Sequence, residues 1–357
     1  MSAPLKAPFP YFGGKSKAAP LVWSLFGDVK NYVEPFAGSA AMLISAPDGK
    51  RIETINDADG FIANFWRAVA FDPDSVAYHA DYPVSEIDLF ARHGWLVNRA
   101  ERLKFSLEDP DFYDAKIAGW WVWGACNWIG SGWCGGIGPW KSNGASITKS
   151  DAGKGINRQI PHLGDAGNGI NRQIPHLGNA GKGVNRQIPH LGDAGKGRYE
   201  FILEWFVALA ERLRDTRITC GDWGRVLSSS VTDRHGMTAI FLDPPYSKGA
   251  MNYAAGGVGS SIPLDVQVWC AENGNNQLLR IVICGHAGEH SALEDAGWTA
   301  HTWTAGSGYA RSVDAVANRK SETVWASPAC VRAAQPMIGL LDAYEMTQQA
   351  DSREAAW

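Results

Sequence analysis

The sequence lacks cysteine pairs, long apolar runs and a leader-like start, and each absence argues against a class of protein. Its six cysteines stand singly, without a CxxC pair or a Cys/His group at the spacing of a zinc site. No apolar run approaches the ~20 residues that cross a bilayer. The first residues, MSAPLKAPFPYFGGK, lack the apolar core of a signal peptide. We therefore expect a cytoplasmic protein with reduced thiols, no metal and no membrane contact.

A strong net charge is also lacking, since the 357 residues sum to −4. The charge is nevertheless unevenly distributed. Residues 141–198 contain nine Lys and Arg against three Asp, which gives +6 and leaves −10 on the rest of the chain. A basic segment set into an acidic chain is typical of a local contact with a polyanion.

Short apolar runs of strand length alternate with helical segments, which is the pattern of a mostly parallel α/β sheet. Such sheets bind their ligands beyond the carboxyl ends of the strands. We predict strands at 31–36, 51–56, 216–220, 238–242, 280–284 and 323–325. We also predict a helix at 199–215, with an apolar side formed by Phe201, Trp205, Leu209 and Leu213.

The alternation breaks between the second and third predicted strands. We interpret residues 71–198 as an inserted, mainly helical and loop-rich region, with repeats at 151–197. The sheet domain is then divided into 1–70 and 199–330, followed by a tail at 331–357. The tryptophans of the insert are expected to be packing residues (Trp120, Trp121, Trp123 and Trp128).

The insert contains a 14-residue repeat, with the copies DAGKGINRQIPHLG, DAGNGINRQIPHLG and NAGKGVNRQIPHLG. Arg158, Arg172 and Arg186 occupy equivalent positions in the three copies. Solenoid repeats are longer, and each copy has too few apolar residues to bury a core. Two interpretations stay open: a duplicated loop, or a segment that contacts the polyanion.

Glycine and acidic residues follow three successive predicted strands. Gly38 in EPFAGS follows the first strand, Asp57 ends the second, and Asp222 in CGDW follows the third. A glycine lets a ligand approach the backbone, and an acid about 20 residues later reaches ribose hydroxyls in nucleotide-binding folds. Each residue taken singly is an ordinary turn or N-cap residue. Together they indicate an adenosine ligand.

The stretch DPPY, Asp243–Tyr246, follows the fourth predicted strand. Its two prolines fix their φ angles and remove two N–H donors, which leaves a rigid turn that presents carbonyl oxygens. Asp243 adds a carboxylate acceptor and Tyr246 adds a flat ring. This arrangement suits a planar base with an exocyclic amino group. If Asp243 and the Pro244 carbonyl accepted both N–H bonds, the amino nitrogen would be drawn toward tetrahedral geometry.

FGGK, EPFAGSAA, IND, CGDW and DPPY occur in the order found in Dam-like adenine-N6 DNA methyltransferases, and the chain resembles that family over about residues 8–70 and 199–330. The resemblance implies a Rossmann-like methyltransferase sheet whose insert recognises the target. It implies S-adenosylmethionine as methyl donor, no metal, double-stranded DNA as substrate, and no obligate protein partner. The implied setting is a prokaryotic or phage-infected cell.

The resemblance also implies roles for individual residues. Those implied for cofactor binding are Tyr11, Lys15, Phe36, Gly38, Asp57, Asp222 and Asp243. Those implied for catalysis are Asp243, Pro244, Pro245 and Tyr246, with Tyr246 stacking on a flipped target base. Ser39 and Ala40 depart from the family, whose turn usually has more glycine there, so an altered cofactor affinity is expected.

Contacts with DNA are expected in the insert and late in the chain. The stretch GACNWIGSGWCGG, which includes Asn127, resembles the family's Asn/Gly-rich target-recognition loop. NRKSE, residues 318–322, resembles the family's closing motif. The predicted DNA contacts are Asn127, Arg158, Arg172, Arg186, Arg311, Arg319 and Lys320.

Two alternatives to an adenine-specific DNA methyltransferase stay open. One is methylation of another planar amino acceptor, such as the cytosine amino group, RNA or a glutamine amide. The resemblance favours adenine because Asp243 precedes the prolines, and the basic insert favours a polynucleotide. The other is a DNA-binding protein on a degenerate methyltransferase fold, against which the intact acids at the strand ends argue. Neither the recognised DNA sequence nor pairing with a restriction enzyme follows from the sequence.

Overall fold

The computed structural model describes residues 5–9, 15–128, 133–134, 140–142, 147–149, 198–245, 261–302 and 322–331. Its strands are β1 (Asn31–Glu34), β2 (Ile52–Asp57), β3 (Trp140–Ser142), β4 (Ile147–Lys149), β5 (Thr216–Cys220), β6 (Thr238–Leu242), β7 (Leu279–His286), β8 (Thr299–Thr302) and β9 (Glu322–Ala326). Seven of them form one sheet in the order β5-β2-β1-β6-β7-β9-β8. The strands β3 and β4 form a separate antiparallel pair.

The strands from β5 to β7 are parallel neighbours, and β9 runs antiparallel between β7 and β8. The chain winds from β1 to β2 and β5 on one side, and from β6 to β7 on the other. The direction of winding therefore changes between β1 and β6, which is where doubly wound sheets bind their ligands. The predicted Rossmann-like, mostly parallel α/β sheet is confirmed.

The helices are α1 (Ala19–Phe26), α2 (Ala41–Ile44), α3 (Gly60–Phe71), α4 (Pro73–Ala80), α5 (Glu86–Val97), α6 (Ala100–Ser106), α7 (Ala115–Asn127), α8 (Arg198–Leu213), α9 (Ile262–Asn273) and α10 (Ser291–Asp295). Short 3₁₀ turns occur at Lys15–Lys17, Trp223–Val226 and Asp233–His235. Within the described part of the chain, no helix is both long and apolar enough to cross a membrane.

Helices cover both faces of the sheet. Because successive side chains of a strand point to opposite faces, Ala239 and Phe241 of β6 pack on one side, while Ile240 and Leu242 pack on the other. The first face is covered by α1 to α4, α7 and α8, and the second face by α9 and α10. This three-layer arrangement buries the central strands and leaves their carboxyl ends at one edge, where the predicted site residues follow.

The helices α4 and α7, which belong to the predicted insert, pack against each other and against α3, and α4 also packs against α8. Their buried residues share one apolar cluster with the first face of the sheet. Trp121 and Trp123 are buried, as expected of packing residues, whereas Trp120 is half-buried. The division of the chain into a catalytic domain and an insert stays a prediction.

The apolar side of α8 differs from the predicted one. Its buried residues are Ile202, Phe206, Leu209 and Leu213, while Phe201 and Trp205 are half-buried. The prediction used a constant spacing of four residues, which drifts by about 40° at each step around a helix of 3.6 residues per turn. The observed spacing of four, three and four residues keeps the buried side chains in one line.

Candidate active site

The site lies where β1 and β6 end side by side, at the point where the winding of the sheet changes direction. Asn31 to Val33 pair in parallel with Thr238 to Ile240, so the turns that follow Glu34 and Leu242 leave the sheet next to each other. The strand β2 pairs with β1 and with β5, so that Asp57 and Cys220 end opposite each other. The residues predicted from three strand ends and from the DPPY stretch are therefore brought to one edge.

Asp57 holds the glycine turn that follows β1. Its Oδ2 accepts the Gly38 N–H at 2.9 Å, and its Oδ1 accepts the Asp59 N–H at 2.9 Å. Gly38 has a φ of +46°, in the left-handed region that favours glycine, and its carbonyl accepts the indole N–H of Trp66 at 2.9 Å. Both sides of the turn are thus fixed by hydrogen bonds before any ligand arrives.

Burial raises the pKa of Asp57 to about 7, and the neighbouring Asp59 carboxylate adds to this, against the lowering effect of the backbone N–H donors. Ala40, one of the two departures from the family pattern, has a φ of +49°. An alanine in this conformation is less favourable than the glycine that the family usually carries there.

Asn56 ties three strand ends together, and sequence reasoning assigned no role to it. Its side-chain amide donates to the Pro35 carbonyl and to the Gly221 carbonyl, both at 3.0 Å, while its oxygen accepts the Thr219 hydroxyl at 2.9 Å. The ends of β1, β2 and β5 are therefore locked by one buried side chain. Its place inside the IND motif, directly before Asp57, was the available signal.

Asp222 follows β5 and is exposed. Its Oδ1 accepts the Gly224 N–H at 2.9 Å and so caps the 3₁₀ turn of Trp223–Val226. The Trp223 ring stacks on Phe36, with centroids 6.1 Å apart and an interplanar angle of 26°. A carboxylate and a pair of aromatic rings therefore flank the glycine turn, a combination that can hold a flat base by hydrogen bonding and stacking.

Lys15 lies between two carboxylates at the other side of the switch point. Its ammonium is 3.2 Å from Asp243 Oδ1 and 3.3 Å from Glu322 Oε2, and only 6% of the side chain is exposed. Burial alone would lower the pKa of Lys15, but the carboxylates of Asp243 and Glu322 raise it on balance. The ammonium is therefore charged, and it stabilises the ionised form of Asp243 by Coulomb attraction.

Glu34, the last residue of β1, is buried behind this edge. Its Oε2 accepts the Tyr32 hydroxyl at 2.8 Å. Burial raises the pKa of Glu34 to about 8, and the nearby charges of Asp243 and Asp57 contribute to the rise. At neutral pH Glu34 is therefore mostly uncharged, and it adds little repulsion to the carboxylates that face the crevice.

Two other predicted catalytic residues, Pro244 and Pro245, are buried directly after Asp243. Asn127 ends α7 with 2% of its surface exposed, and its amide donates to the Trp123 carbonyl at 2.6 Å. A DNA contact by this buried side chain would require α7 to open at its end, so this role stays a prediction. The remaining predicted residues lie outside the described part of the chain: Tyr11, Arg158, Arg172, Arg186, Tyr246, Arg311, Arg319 and Lys320.

No group of His, Cys, Asp and Glu that could hold a metal ion occurs among the residues described here.

Comparison with known proteins supports the chemistry that the site suggests. A search of curated proteins gave no match. Residues 11–103 match the family model of the D12 class N6 adenine-specific DNA methyltransferases. This segment carries Lys15, Gly38 and Asp57. The predicted resemblance is thereby confirmed, and the match over this segment indicates an adenine-specific DNA methyltransferase.

Proposed function

We propose that the enzyme transfers the methyl group of S-adenosylmethionine to the N6 amino group of an adenine at a specific site in double-stranded DNA. The observation that supports this most is that two turns, one after β1 and one after β6, lie next to each other where the winding of the sheet changes direction. The glycine turn held by Asp57 lies beside the Asp243-Pro244-Pro245 turn, with Lys15 against Asp243. The proposed donor site and the proposed site for the planar amine would thus be adjacent.

The residues at the first of these sites fit S-adenosylmethionine. Asp57 would accept the ribose hydroxyls, since each carboxylate oxygen can accept a further hydrogen bond beside the one from the backbone. Phe36 and Trp223 would pack against the adenine, and Asp222 would accept its amino group. The Gly38 turn would admit the methionine part. When bound, S-adenosylmethionine supplies an electrophilic methyl group.

The second site would prepare the acceptor. Asp243 accepts one N–H of the adenine amine, and the Pro244 carbonyl accepts the other, which makes the nitrogen lone pair available. Because proline has no N–H, neither proline offers a donor that would compete for these acceptors. The Lys15 ammonium holds Asp243 in place, so the amine is oriented without a covalent intermediate.

The target adenine must leave the duplex to reach Asp243, because its amino group is paired inside the helix. We therefore propose base flipping, with Tyr246 stacking on the extruded base. In the sequence Tyr246 directly follows two prolines, whose fixed φ angles restrict the backbone before it, and this favours a defined stacking position.

Labelled methyl transfer tests the proposal. Purified protein is incubated with S-adenosylmethionine labelled in its methyl group and with unmethylated duplex DNA, and the DNA is digested to nucleosides. We expect the label in N6-methyl-2′-deoxyadenosine only, and only in duplexes that contain one particular sequence context. A matched duplex made of G·C pairs alone should stay unlabelled. Label in a cytosine product, in RNA supplied as competitor, or in no product would contradict the proposal.

A further inference from the structure

The antiparallel strand β9 brings a third charged residue to the site. Parallel strands end together at the edge that carries Asp243, whereas an antiparallel strand begins there. The register pairs His286, the last residue of β7, with Glu322, the first residue of β9. Since β7 lies between β6 and β9, Glu322 reaches the same edge as Asp243 although 79 positions separate them in the sequence.

Glu322 and Asp243 share one ammonium. Lys15 Nζ lies 3.3 Å from Glu322 Oε2 and 3.2 Å from Asp243 Oδ1, and the three side chains are 10%, 6% and 17% exposed for Glu322, Lys15 and Asp243. Ion pairs in such sheltered positions are weakly screened by solvent and depend strongly on the presence of each partner. Removing the charge of one of these three side chains must therefore change the electrostatic interaction between the other two.

We propose that Glu322 is a positioning residue for methyl transfer, which acts by sharing Lys15 with Asp243. This proposal rests on the proposed function. As the amine nitrogen bonds to the methyl carbon, the methyl–sulfur bond breaks and S-adenosylhomocysteine leaves. Positive charge thus passes from the sulfur to the nitrogen until the nitrogen loses a proton to solvent, so an ionised Asp243 beside the nitrogen favours the transition state. With Glu322 present, the Lys15 ammonium interacts with two carboxylates at once. It therefore neutralises less of the negative charge of Asp243, and Asp243 is a stronger acceptor for the amine. Without Glu322, Lys15 would pair with Asp243 alone.

Two further titratable groups beside this trio, among the residues that the structure describes, do not replace Glu322. Burial raises the pKa of the Cys284 thiol well above its usual range, and the pKa of Glu34 is about 8. Both groups are mostly neutral at pH 7 and contribute little charge. The proposal depends on the change in charge that each substitution causes. This change is the same whichever other residues contact Lys15, Asp243 and Glu322. Glu322→Gln makes the edge more positive by one charge, Lys15→Met makes it more negative by one, and the double variant restores the original sum.

The test is a double-mutant cycle on kcat, measured with the full-length protein, labelled S-adenosylmethionine and saturating duplex DNA. We expect E322Q to lower kcat about tenfold, with the Kd for S-adenosylmethionine unchanged. We expect K15M to lower kcat further, because Asp243 and Glu322 would then repel each other without the ammonium between them and would share a proton, which removes part of the charge of Asp243. The double variant should exceed either single variant, because its charge is restored. A matched control is Glu294→Gln, which changes a carboxylate that accepts the indole N–H of Trp325 on β9 but lies outside the trio. The control should keep the wild-type kcat.

The outcomes separate the two proposals. If the wild-type enzyme labels no adenine, the proposed function fails, and the role of Glu322 fails with it. If the wild type is active but the losses in kcat multiply in the double variant, Glu322 has only a structural role and the positioning proposal alone is overturned. A loss confined to the Km for DNA or to thermal stability, with kcat intact, would overturn it as well.

Discussion

The three acidic residues that were predicted from strand ends meet different partners. Asp57 accepts two backbone N–H groups, Asp243 faces the Lys15 ammonium, and Asp222 is exposed and caps a short turn. A carboxylate that holds a turn, one that is paired with a cation and one that lies at the surface will respond differently to substitution. Their removal should therefore affect different measurable steps.

Replacing Asp243 with alanine should abolish most of the activity while preserving the fold. Lys15 would keep Glu322 as a partner, so no buried charge would be left without one. Loss of one preorganised acceptor commonly lowers kcat by about 10²–10³-fold. The measurement is single-turnover methyl transfer, together with thermal unfolding. Asp233→Ala is the control, because Asp233 precedes β6 at the opposite edge of the sheet, and it should leave kcat unchanged. Near-normal turnover of the Asp243 variant would remove the proposed mechanism.

The affinity for the cofactor should depend on the protonation of Asp57. Its pKa lies near 7 rather than at 3.8, so the carboxyl is largely protonated at pH 6 and largely ionised at pH 8. Ribose hydroxyls donate to the ionised form more strongly, so binding should weaken as the pH falls, by about tenfold from pH 8 to pH 6. Because the folded-state pKa is raised, the same group stabilises the fold below about pH 4 and loses this contribution as the pH rises through 7.

Calorimetric titration with S-adenosylhomocysteine across this range measures the effect. Asp57→Asn should bind weakly and without this pH dependence, while Asp233→Ala should follow the wild-type curve. A flat wild-type profile would show that the Asp57 carboxyl does not meet the ligand.

Residues whose chemistry acts locally could be predicted from the sequence, and residues that act through the fold could not. Gly38, Asp57 and Asp243 stand directly after apolar runs, so their position at a sheet edge followed from the pattern. Glu322 was noted only as part of a motif, because its meeting with Lys15 depends on the direction of β9. Direction is not visible in a run of five residues. Asn56 was missed because its bonds reach two other strands.

At the scale of elements, the central strands were predicted best. The predicted bounds of β5 and β6 match the structure, since these strands are flanked by clear turn and helix signals. The edge strand β8, with the sequence TAHT, was not predicted because it is short, mostly exposed and lacks apolar alternation. The last strand was predicted at 323–325, but its antiparallel direction was not.

The close packing of α4 against α7 predicts a difference between two glycines. A Cβ on Gly119 of α7 would lie 2.7 Å from the Val76 carbonyl oxygen, which belongs to the backbone of α4 and cannot move away by itself. Gly119→Ala should therefore destabilise the protein by about 1–3 kcal/mol. A Cβ on Gly60 of α3 would meet Lys104 at an ordinary 3.6 Å, so Gly60→Ala should change stability by less than about 1 kcal/mol.

Urea unfolding of both variants checks this prediction, with far-UV circular dichroism as the signal. Equal stabilities for the two alanine variants would mean that α4 and α7 are not packed as closely as described.

At the scale of the whole molecule, the chemistry is concentrated where the winding of the sheet reverses, and the positive charge is concentrated elsewhere in the sequence. The segment of residues 141–198 carries +6, and only β3, β4 and the start of α8 within it belong to the described residues. An enzyme with an acidic body needs a basic surface to hold DNA. We therefore propose that this segment supports binding, while the switch-point site performs the reaction.

Deletion of two repeats, residues 165–192, tests this division of roles. The deletion removes Arg172, Lys182 and Arg186, together with Asp165. Near-identical copies on a glycine-rich chain suit phosphate contact better than the reading of distinct bases, because a phosphate presents the same group at every position. We expect weaker DNA binding, an unchanged methylation site and a nearly unchanged kcat. The slope of log K against log salt should flatten by up to about 3, since each phosphate contact contributes about 0.9.

The measurement is the affinity for one site-containing duplex across a salt series. A control variant replaces the same three basic residues with glutamine at full length, and it should reproduce the flattened slope. Identical slopes for all three proteins would show that the repeats are a duplicated loop, and a changed methylation site would show that they read bases.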